Sequence, residues 1–127
     1  MEVTNDFKIG KLMENYDNSK CVDCGIEFRY LYVYIGQANP TFVSVNNGVF
    51  VCHKCADVHR SVIASNISLI RSVALGSWNE KQIQYLEMGG NDKFSKFLDT
   101  YALMTEPANN KYKSKAAEYY RSQVNIQ

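Results

Sequence analysis

Two pairs of cysteines constrain this chain more than any other feature of its sequence. Cys21 and Cys24 form one CxxC pair, and Cys52 and Cys55 form the other. The two residues inside each pair turn the backbone so that both thiolates can reach one cation, and two such pairs complete a tetrahedral four-cysteine zinc site. Four thiolates leave no open coordination position, so we expect the zinc to hold the fold and to activate no water.

Spacing alone leaves three other uses of these cysteines open. They could form disulfides, a redox-active CxxC pair, or a metal site in which His59 replaces one thiolate. The N-terminus lacks the basic and then apolar order of a signal peptide, and no apolar stretch approaches the ~20 residues that span a bilayer. We therefore expect a cytoplasmic protein, where disulfides are disfavoured. No βαβ pattern surrounds either pair, which disfavours the redox role. Zinc binding by the four cysteines is therefore the favoured use.

Chain length and charge limit the number of domains and the kinds of partner. A chain of 127 residues, 46% of them hydrophobic and 21% charged, predicts one globular domain over residues 1–127. Paired CxxC motifs also occur in nucleic-acid-binding zinc modules, but those carry a basic face. A net charge of +1 with four arginines does not supply such a face, so we expect no nucleic-acid partner.

Hydrophobic periodicity and turn residues predict a mixture of helices and short strands. The predicted helices cover about residues 9–16, 55–65, 78–89, 94–101 and 111–124, with a linker over 105–110. The predicted strands cover residues 28–35, 41–45, 49–51 and 69–75. Asn46, Asn47 and Gly48 favour a tight turn, which makes a hairpin of the second and third strands. Ser77 and Glu80 have the spacing of a helix capping box.

A longer motif extends from the second cysteine pair. Cys52 and Cys55 are followed after four residues by Arg60, which gives the form CxxC-x4-R. Further matches lie at Ile70-Arg71-Ser72 ahead of Trp78, at Gly89-Gly90-Asn91 ahead of Phe94 and Phe97, and over residues 111–117. With these residues the sequence resembles the zinc-finger domain of the Arf GTPase-activating proteins over about residues 8–124.

The resemblance implies a fold and a function. The fold would be a small zinc-stabilised α+β domain, with a short central antiparallel sheet surrounded by helices, a four-cysteine zinc module over about residues 21–60 and a helical part over about 77–124. Arg60 would be an arginine finger, inserted in trans into a GTP-bound Arf-type small GTPase. The chain would then be no enzyme itself but a GTPase activator. Phe42, Arg71 and Trp78 would be supporting residues, and Arg71 would act more through the structure than on the phosphates. It would act in vesicle-mediated transport, peripherally at Golgi or vesicle membranes.

Several positions depart from the family pattern. Phe42 stands where the family usually has Trp, Gly76 replaces a usual Asp, Ile63 lies in a segment that also differs, and residues 27–37 are an insertion. We expect Phe42 to pack beside Arg60 and the insertion to be peripheral to catalysis. These departures keep open a protein-interaction module without GTPase-activating activity, and a dimer is also left open. We expect the basic residues of the last helix to form a solvated face: Lys111, Lys113, Lys115 and Arg121.

Overall fold

The computed structural model describes residues 4–30 and 41–124, which form an antiparallel sheet surrounded by helices. This is the α+β class predicted from the sequence. The strands are β1 (Thr41–Ser44), β2 (Val49–Cys52) and β3 (Ile70–Ser72). The helices are α1 (Asn5–Met13), α2 (His53–Val62), α3 (Glu80–Met88), α4 (Asn91–Asp99), α5 (Ala108–Tyr112) and α6 (Lys115–Val124), with 3-10 turns at Tyr16–Ser19 and Val73–Leu75.

The three strands are arranged in the order β2-β1-β3, with β1 antiparallel to both neighbours. The predicted hairpin joins β1 to β2, and Gly48 in its turn has a φ of +64°. A Cβ atom at Gly48 would lie 2.6 Å from the carbonyl oxygen of Tyr85 in α3. Glycine is therefore needed here both for the turn conformation and for the close approach of α3 to the hairpin.

The hydrophobic core lies between the sheet and the helices. Strand β2 is buried along its whole length, and Val43 of β1 is fully buried beside it. The helices contribute Ala56, Ile83, Leu86, Phe94, Leu98, Tyr112, Ala117, Tyr120 and Val124. This core anchors the base of α2, whose Ala56 and His59 are buried while Arg60 is exposed. Among the described residues, no helix is long and apolar enough to cross a membrane.

Asn91 joins the sheet to the segment that leads into the first cysteine pair. Its side-chain oxygen accepts from the backbone N–H of Phe50 at 2.7 Å, and its amide nitrogen donates to the carbonyl of Lys20 at 2.7 Å. Its own backbone N–H donates to the side chain of Asn18 at 3.0 Å. The Gly89-Gly90-Asn91 motif therefore has a structural role, since a buried amide with every polar atom satisfied fixes its neighbours.

The strand predicted over residues 28–35 is wrong where the structure describes it. Residues 28–30 are helical, and residues 31–35 lie outside the described residues, as does most of the 27–37 insertion. The side chain of Phe28 is buried in the core, just after an isolated bridge between Lys20 and Glu27. The aromatic composition favoured a strand, but packing against the core determines the local conformation.

Some helix boundaries also differ from the prediction. The capping box at the start of α3 is formed by Asn79 and Gln82, whose side chains accept from each other's backbone N–H at 2.8 and 3.1 Å. Ser77 has a φ of +57°, so it is part of the preceding turn and cannot cap. The predicted linker and last helix are also divided differently, because α5 begins at Ala108 and a break after Tyr112 separates it from α6.

Candidate functional site

The four cysteines come together at one end of the sheet. Their sulfur atoms all lie within 4.8 Å of one another, and those of Cys24 and Cys52 are 3.7 Å apart. A tetrahedral zinc ion with Zn–S bonds of about 2.3 Å requires sulfur atoms about 3.8 Å apart. The donor set therefore fits a closed tetrahedral metal site, as the spacing of the cysteines predicts.

The hairpin and a tight turn bring the two cysteine pairs together. Cys52 ends β2 and caps α2, where its sulfur accepts from the backbone N–H of Cys55 at 3.5 Å. In the first pair, the N–H of Gly25 donates to the carbonyl of Cys21 at 2.9 Å, which closes the turn. The N–H of Val22 donates to the carbonyl of Phe50 at 3.0 Å and holds that turn against β2.

The cysteine side chains of this cluster shift one another's pKa strongly. The pKa of Cys52 is lowered, chiefly by the hydrogen bond from Cys21 and then by the one from Cys55. The pKa of Cys21 is raised to about 12, chiefly by its hydrogen bond with Cys52, and the pKa of Cys55 is also raised, first by its hydrogen bond with Cys21. Four thiols this close do not ionise together unaided, whereas a bound divalent cation favours the thiolate of each.

Arg60 lies in the last turn of α2, five residues after Cys55, and its side chain is 50% exposed. The guanidinium donates to the Asp57 carboxylate at 3.4 Å, and the side chain of Asp57 is itself 75% exposed. The central carbon of the guanidinium lies 5.1 Å from the centre of the Phe42 ring. The expected packing of Phe42 beside Arg60 is therefore present. A long exposed ion pair contributes little, so the guanidinium is free to exchange Asp57 for another anion.

Arg71 and Trp78 do not join Arg60. In the sheet Phe42 pairs with Ser72 and the next residue, Val43, pairs with Arg71, so Phe42 and Arg71 belong to opposite faces. The guanidinium carbon of Arg71 lies 4.9 Å from the centre of the Trp78 ring, and Arg71 donates to the carbonyls of Gly76 and Ser77. Of the three supporting residues expected from the sequence, only Phe42 contacts Arg60, and the other two stabilise the turn that leads into α3.

The turn also explains why position 76 is a glycine. Gly76 has a φ of +68°, a conformation that residues with side chains rarely adopt. A Cβ atom there would also lie 3.2 Å from a carboxylate oxygen of Asp6 in α1. The local backbone and the carboxylate of Asp6 therefore both disfavour the Asp that the family pattern has at this position.

A buried polar cluster beside the cysteines was not predicted from the sequence. Asp23, inside the first CxxC pair, accepts from His59 at 2.8 Å through one carboxylate oxygen. Through the other it accepts from the Tyr112 hydroxyl at 2.6 Å and pairs with the Lys111 ammonium at 2.8 Å. The other ring nitrogen of His59 lies 2.6 Å from the Ser68 hydroxyl, so neither nitrogen is left for a metal.

The charges in this cluster compensate one another. Burial alone would raise the pKa of Asp23, but the hydrogen bond from His59 and the charge of Lys111 outweigh it, and the net shift is downward. Burial, and secondarily Asp23, raises the pKa of Tyr112 well above its usual value, so its hydroxyl stays protonated and donates. The side chain of Lys111 is only 3% exposed. The expectation that Lys111 belongs to a solvated face is wrong, and Arg121, half-buried against Asn47, departs from it as well.

Comparisons with known proteins identify the family. The ArfGap family model, described as "Putative GTPase activating protein for Arf", matches residues 6–127. The mouse protein ADP-ribosylation factor GTPase-activating protein 3 is 35% identical over 108 residues, which are 84% of this chain and 18% of that protein. The chain thus spans less than a fifth of the length of this curated relative.

Two solved structures share the fold. The first is the crystal structure of a Cryptosporidium parvum "putative GTPase activating protein for ADP ribosylation factor", with a TM-score of 0.66 and 23% identity, covering 95% of this chain and 85% of that one. The second is the ArfGap domain of human RIP, with a TM-score of 0.62 and 18% identity, covering 97% and 84%. Because the family model matches nearly the whole chain, the protein belongs to the ArfGAP family.

Proposed function

We propose that this chain stimulates GTP hydrolysis by an Arf-type small GTPase in its GTP-bound state, and that it does so by inserting Arg60 in trans. The observation that carries the proposal is the setting of Arg60. Its guanidinium is half exposed, held by one long ion pair and placed over an aromatic ring, on a helix that starts at the cysteine cluster. Family membership supplies the partner, since the family model is described by GTPase activation for Arf.

The chemistry of GTP hydrolysis suits this side chain. Negative charge spreads over the phosphoryl oxygens as the transition state develops, and a planar guanidinium with five donors can contact several of those oxygens at once. An arginine finger is worth about 10³–10⁵ in rate. In this proposal the nucleotide, its Mg²⁺ and the attacking water belong to the GTPase, so the chain supplies a charge and has no turnover of its own.

We infer that the metal is one zinc ion held by Cys21, Cys24, Cys52 and Cys55. Their separation fits it, and thiolate donors favour zinc over the hard cations calcium and magnesium. A zinc ion held by four thiolates supplies rigidity and no reactive water. Because Cys52 caps α2 and Cys55 lies in its first turn, these two residues fix the start of the helix that carries Arg60 about one and a half turns later. Arg60 is thereby placed at a low entropic cost.

The remaining expectations stay predictions. They are a single domain over residues 1–127, a cytoplasmic location with peripheral association at Golgi or vesicle membranes, and no nucleic-acid partner.

Hydrolysis by three classes of GTPase tests the proposal. Purified Arf-type, Ras-type and Rab-type GTPases are loaded with GTP, and phosphate release is followed with and without the zinc-loaded protein. We expect acceleration by orders of magnitude for the Arf-type protein alone. Arg29→Ala is the matched control, because Arg29 is also exposed and paired with an acidic neighbour, Glu27, and it should leave the acceleration unchanged. A folded, zinc-loaded protein that accelerates none of the three would contradict the proposal and favour an interaction module.

A further inference from the structure

A continuous series of polar contacts runs through the interior of the protein from Arg121 to Asp23 and includes His59, the residue before Arg60. The four side chains between the two end residues are buried. The contacts are Arg121 to Asn47 at 3.0 Å, Asn47 to Ser44 at 2.8 Å, Ser44 to Ser68 at 2.6 Å, Ser68 to His59 at 2.6 Å, and His59 to Asp23 at 2.8 Å. The series links α6, the hairpin turn, β1, the segment before β3, α2 and the first cysteine pair.

The chemistry of the two end groups fixes the donor at each end of the series. Arg121 only donates hydrogen bonds and the carboxylate of Asp23 only accepts them. Nε2 of His59 therefore carries the proton that it shares with Asp23, and the Ser68 hydroxyl can donate to Nδ1. Asp23 is held in turn by Lys111 and Tyr112 of α5. The donor and the acceptor are therefore fixed at the contacts of Arg121 with Asn47, Asn47 with Ser44 and His59 with Asp23, and these contacts restrict the orientation of the side chains they join.

His59 immediately precedes Arg60 in the last turn of α2, which ends at Val62. The last turn of a helix lacks backbone donors for some of its carbonyls and frays unless side chains hold it. Cys52 and Cys55 hold only the first turn. Ala56 and Ile63 bury apolar surface on the same side of the helix, but apolar contacts are not directional and tolerate a rotation. The two hydrogen bonds of His59 are directional, so they fix the rotation of the turn that carries Arg60.

We propose that His59 is a positioning residue for Arg60, acting through its hydrogen bonds to Asp23 and Ser68. This inference rests on the proposed function of Arg60. His59 is fully buried and does not reach a partner protein, so its loss should leave binding of the GTPase largely intact. An arginine that is misplaced by a small rotation of its helix should stabilise the transition state less, which lowers the maximal rate and leaves the half-saturating concentration nearly unchanged.

Three substitutions at this position separate the two hydrogen bonds. His59→Gln can still donate to Asp23, His59→Asn can still reach Ser68, and His59→Ala keeps neither. Single-turnover GTP hydrolysis is measured over a range of activator concentrations, with the zinc content of each variant measured alongside. We expect His59→Ala to lower the maximal rate ~10- to 100-fold. The half-saturating concentration should change by less than about threefold. Gln and Asn should each recover part of the rate.

Ile83→Ala is the matched control for lost stability. Ile83 is fully buried in α3, and this substitution should lower the melting temperature without lowering the maximal rate below that temperature. If His59→Ala does not fold, Ser68→Ala takes its place and should lower the maximal rate by a smaller factor, because it removes the contact with Nδ1 and leaves the one with Asp23. A wild-type maximal rate in the folded His59 variants would overturn the proposal, as would an equal loss of rate in Ile83→Ala.

Amide hydrogen exchange tests the positioning without reference to activity. The amides of residues 60–62 should exchange faster in the His59 variants than in wild type, whereas in Ile83→Ala they should follow the global loss of stability. Unchanged protection of these amides in the His59 variants would overturn the proposal. A wild-type protein that fails to stimulate hydrolysis, but shows this pattern of exchange, would contradict the proposed function and still support the role of His59 in holding α2.

Discussion

The guanidinium carbon of Arg60 lies 5.1 Å from the centre of the Phe42 ring. This contact joins the middle strand of the sheet to the last turn of α2, and the ring is itself packed against the core. A cation above the face of an aromatic ring is attracted by the negative charge of that face. Phe42 therefore gives the Arg60 side chain a preferred position while leaving its donors exposed.

Phe42→Ala should lower the stimulated rate of GTP hydrolysis by about 2- to 5-fold, because an exposed cation–π contact is worth about 0.5–1 kcal/mol. Phe42→Trp should keep or raise the rate, since indole binds cations better than phenyl. The control is Phe7→Ala, which removes an exposed aromatic ring of α1 and should have no effect on the rate. Unchanged turnover in Phe42→Ala would place the support of Arg60 elsewhere.

Removal of the metal should unfold the protein. The binding free energy of a structural zinc ion, about 10–16 kcal/mol, is comparable with or larger than the roughly 5–15 kcal/mol that stabilises a typical domain. We expect elemental analysis to give one zinc ion per chain. Circular dichroism should show loss of helix on chelation and recovery when zinc, but not magnesium, is added back. A metal-free sample that is folded and active would contradict the assignment.

Lys111 should be essential for stability, whereas the two lysines that follow it should not. Breaking a buried ion pair by removing one partner costs about 3–5 kcal/mol, because the other charge stays buried. Lys111→Met should therefore lower the free energy of unfolding by about that amount in urea denaturation. Lys113→Ala and Lys115→Ala, at exposed positions of the same region, should stay within about 0.5 kcal/mol of wild type. A Lys111→Met protein as stable as these two would show that the pair with Asp23 contributes nothing.

Two glycines should respond in opposite directions to alanine. Gly48→Ala should destabilise the protein by more than about 1 kcal/mol, because its φ is positive and the new Cβ would meet the carbonyl of Tyr85. Gly10 lies inside α1 with open space around it, so Gly10→Ala should add about 0.5–1 kcal/mol through helix propensity. Thermal unfolding of both variants checks this, and a stabilising Gly48→Ala would contradict the role given to the turn.

Local signals in the sequence predicted the hairpin and the metal site. The turn of the hairpin is specified by three consecutive residues, Asn46, Asn47 and Gly48, and each cysteine pair is a motif of four residues. The prediction of the capping box was wrong because Ser77 with Glu80 and Asn79 with Gln82 both have the right spacing. The choice between them depends on Arg71, which donates to the carbonyl of Ser77 from another part of the fold.

The buried cluster around Asp23 had no local signal. Tyr112 and Asp23 are 89 positions apart, and nothing near Lys111 in the sequence distinguishes it from the exposed lysines that follow. A charged residue becomes buried only when the fold brings it a partner, which is a property of the tertiary structure. The contact of Phe42 with Arg60 could be predicted because the family pattern places an aromatic residue there.

The most direct test of the role of Arg60 is single-turnover GTP hydrolysis by an Arf-type GTPase at a saturating concentration of the zinc-loaded protein. Wild type, Arg60→Ala and Arg60→Lys are compared, with melting temperatures and binding to the GTPase measured in parallel. Both variants should lower the rate ~10³-fold, because alanine removes the charge and lysine lacks the planar fork. Melting temperature and binding should stay close to wild type, since the exposed ion pair with Asp57 contributes little. A folded Arg60→Ala protein with a near-wild-type rate would contradict the arginine-finger mechanism.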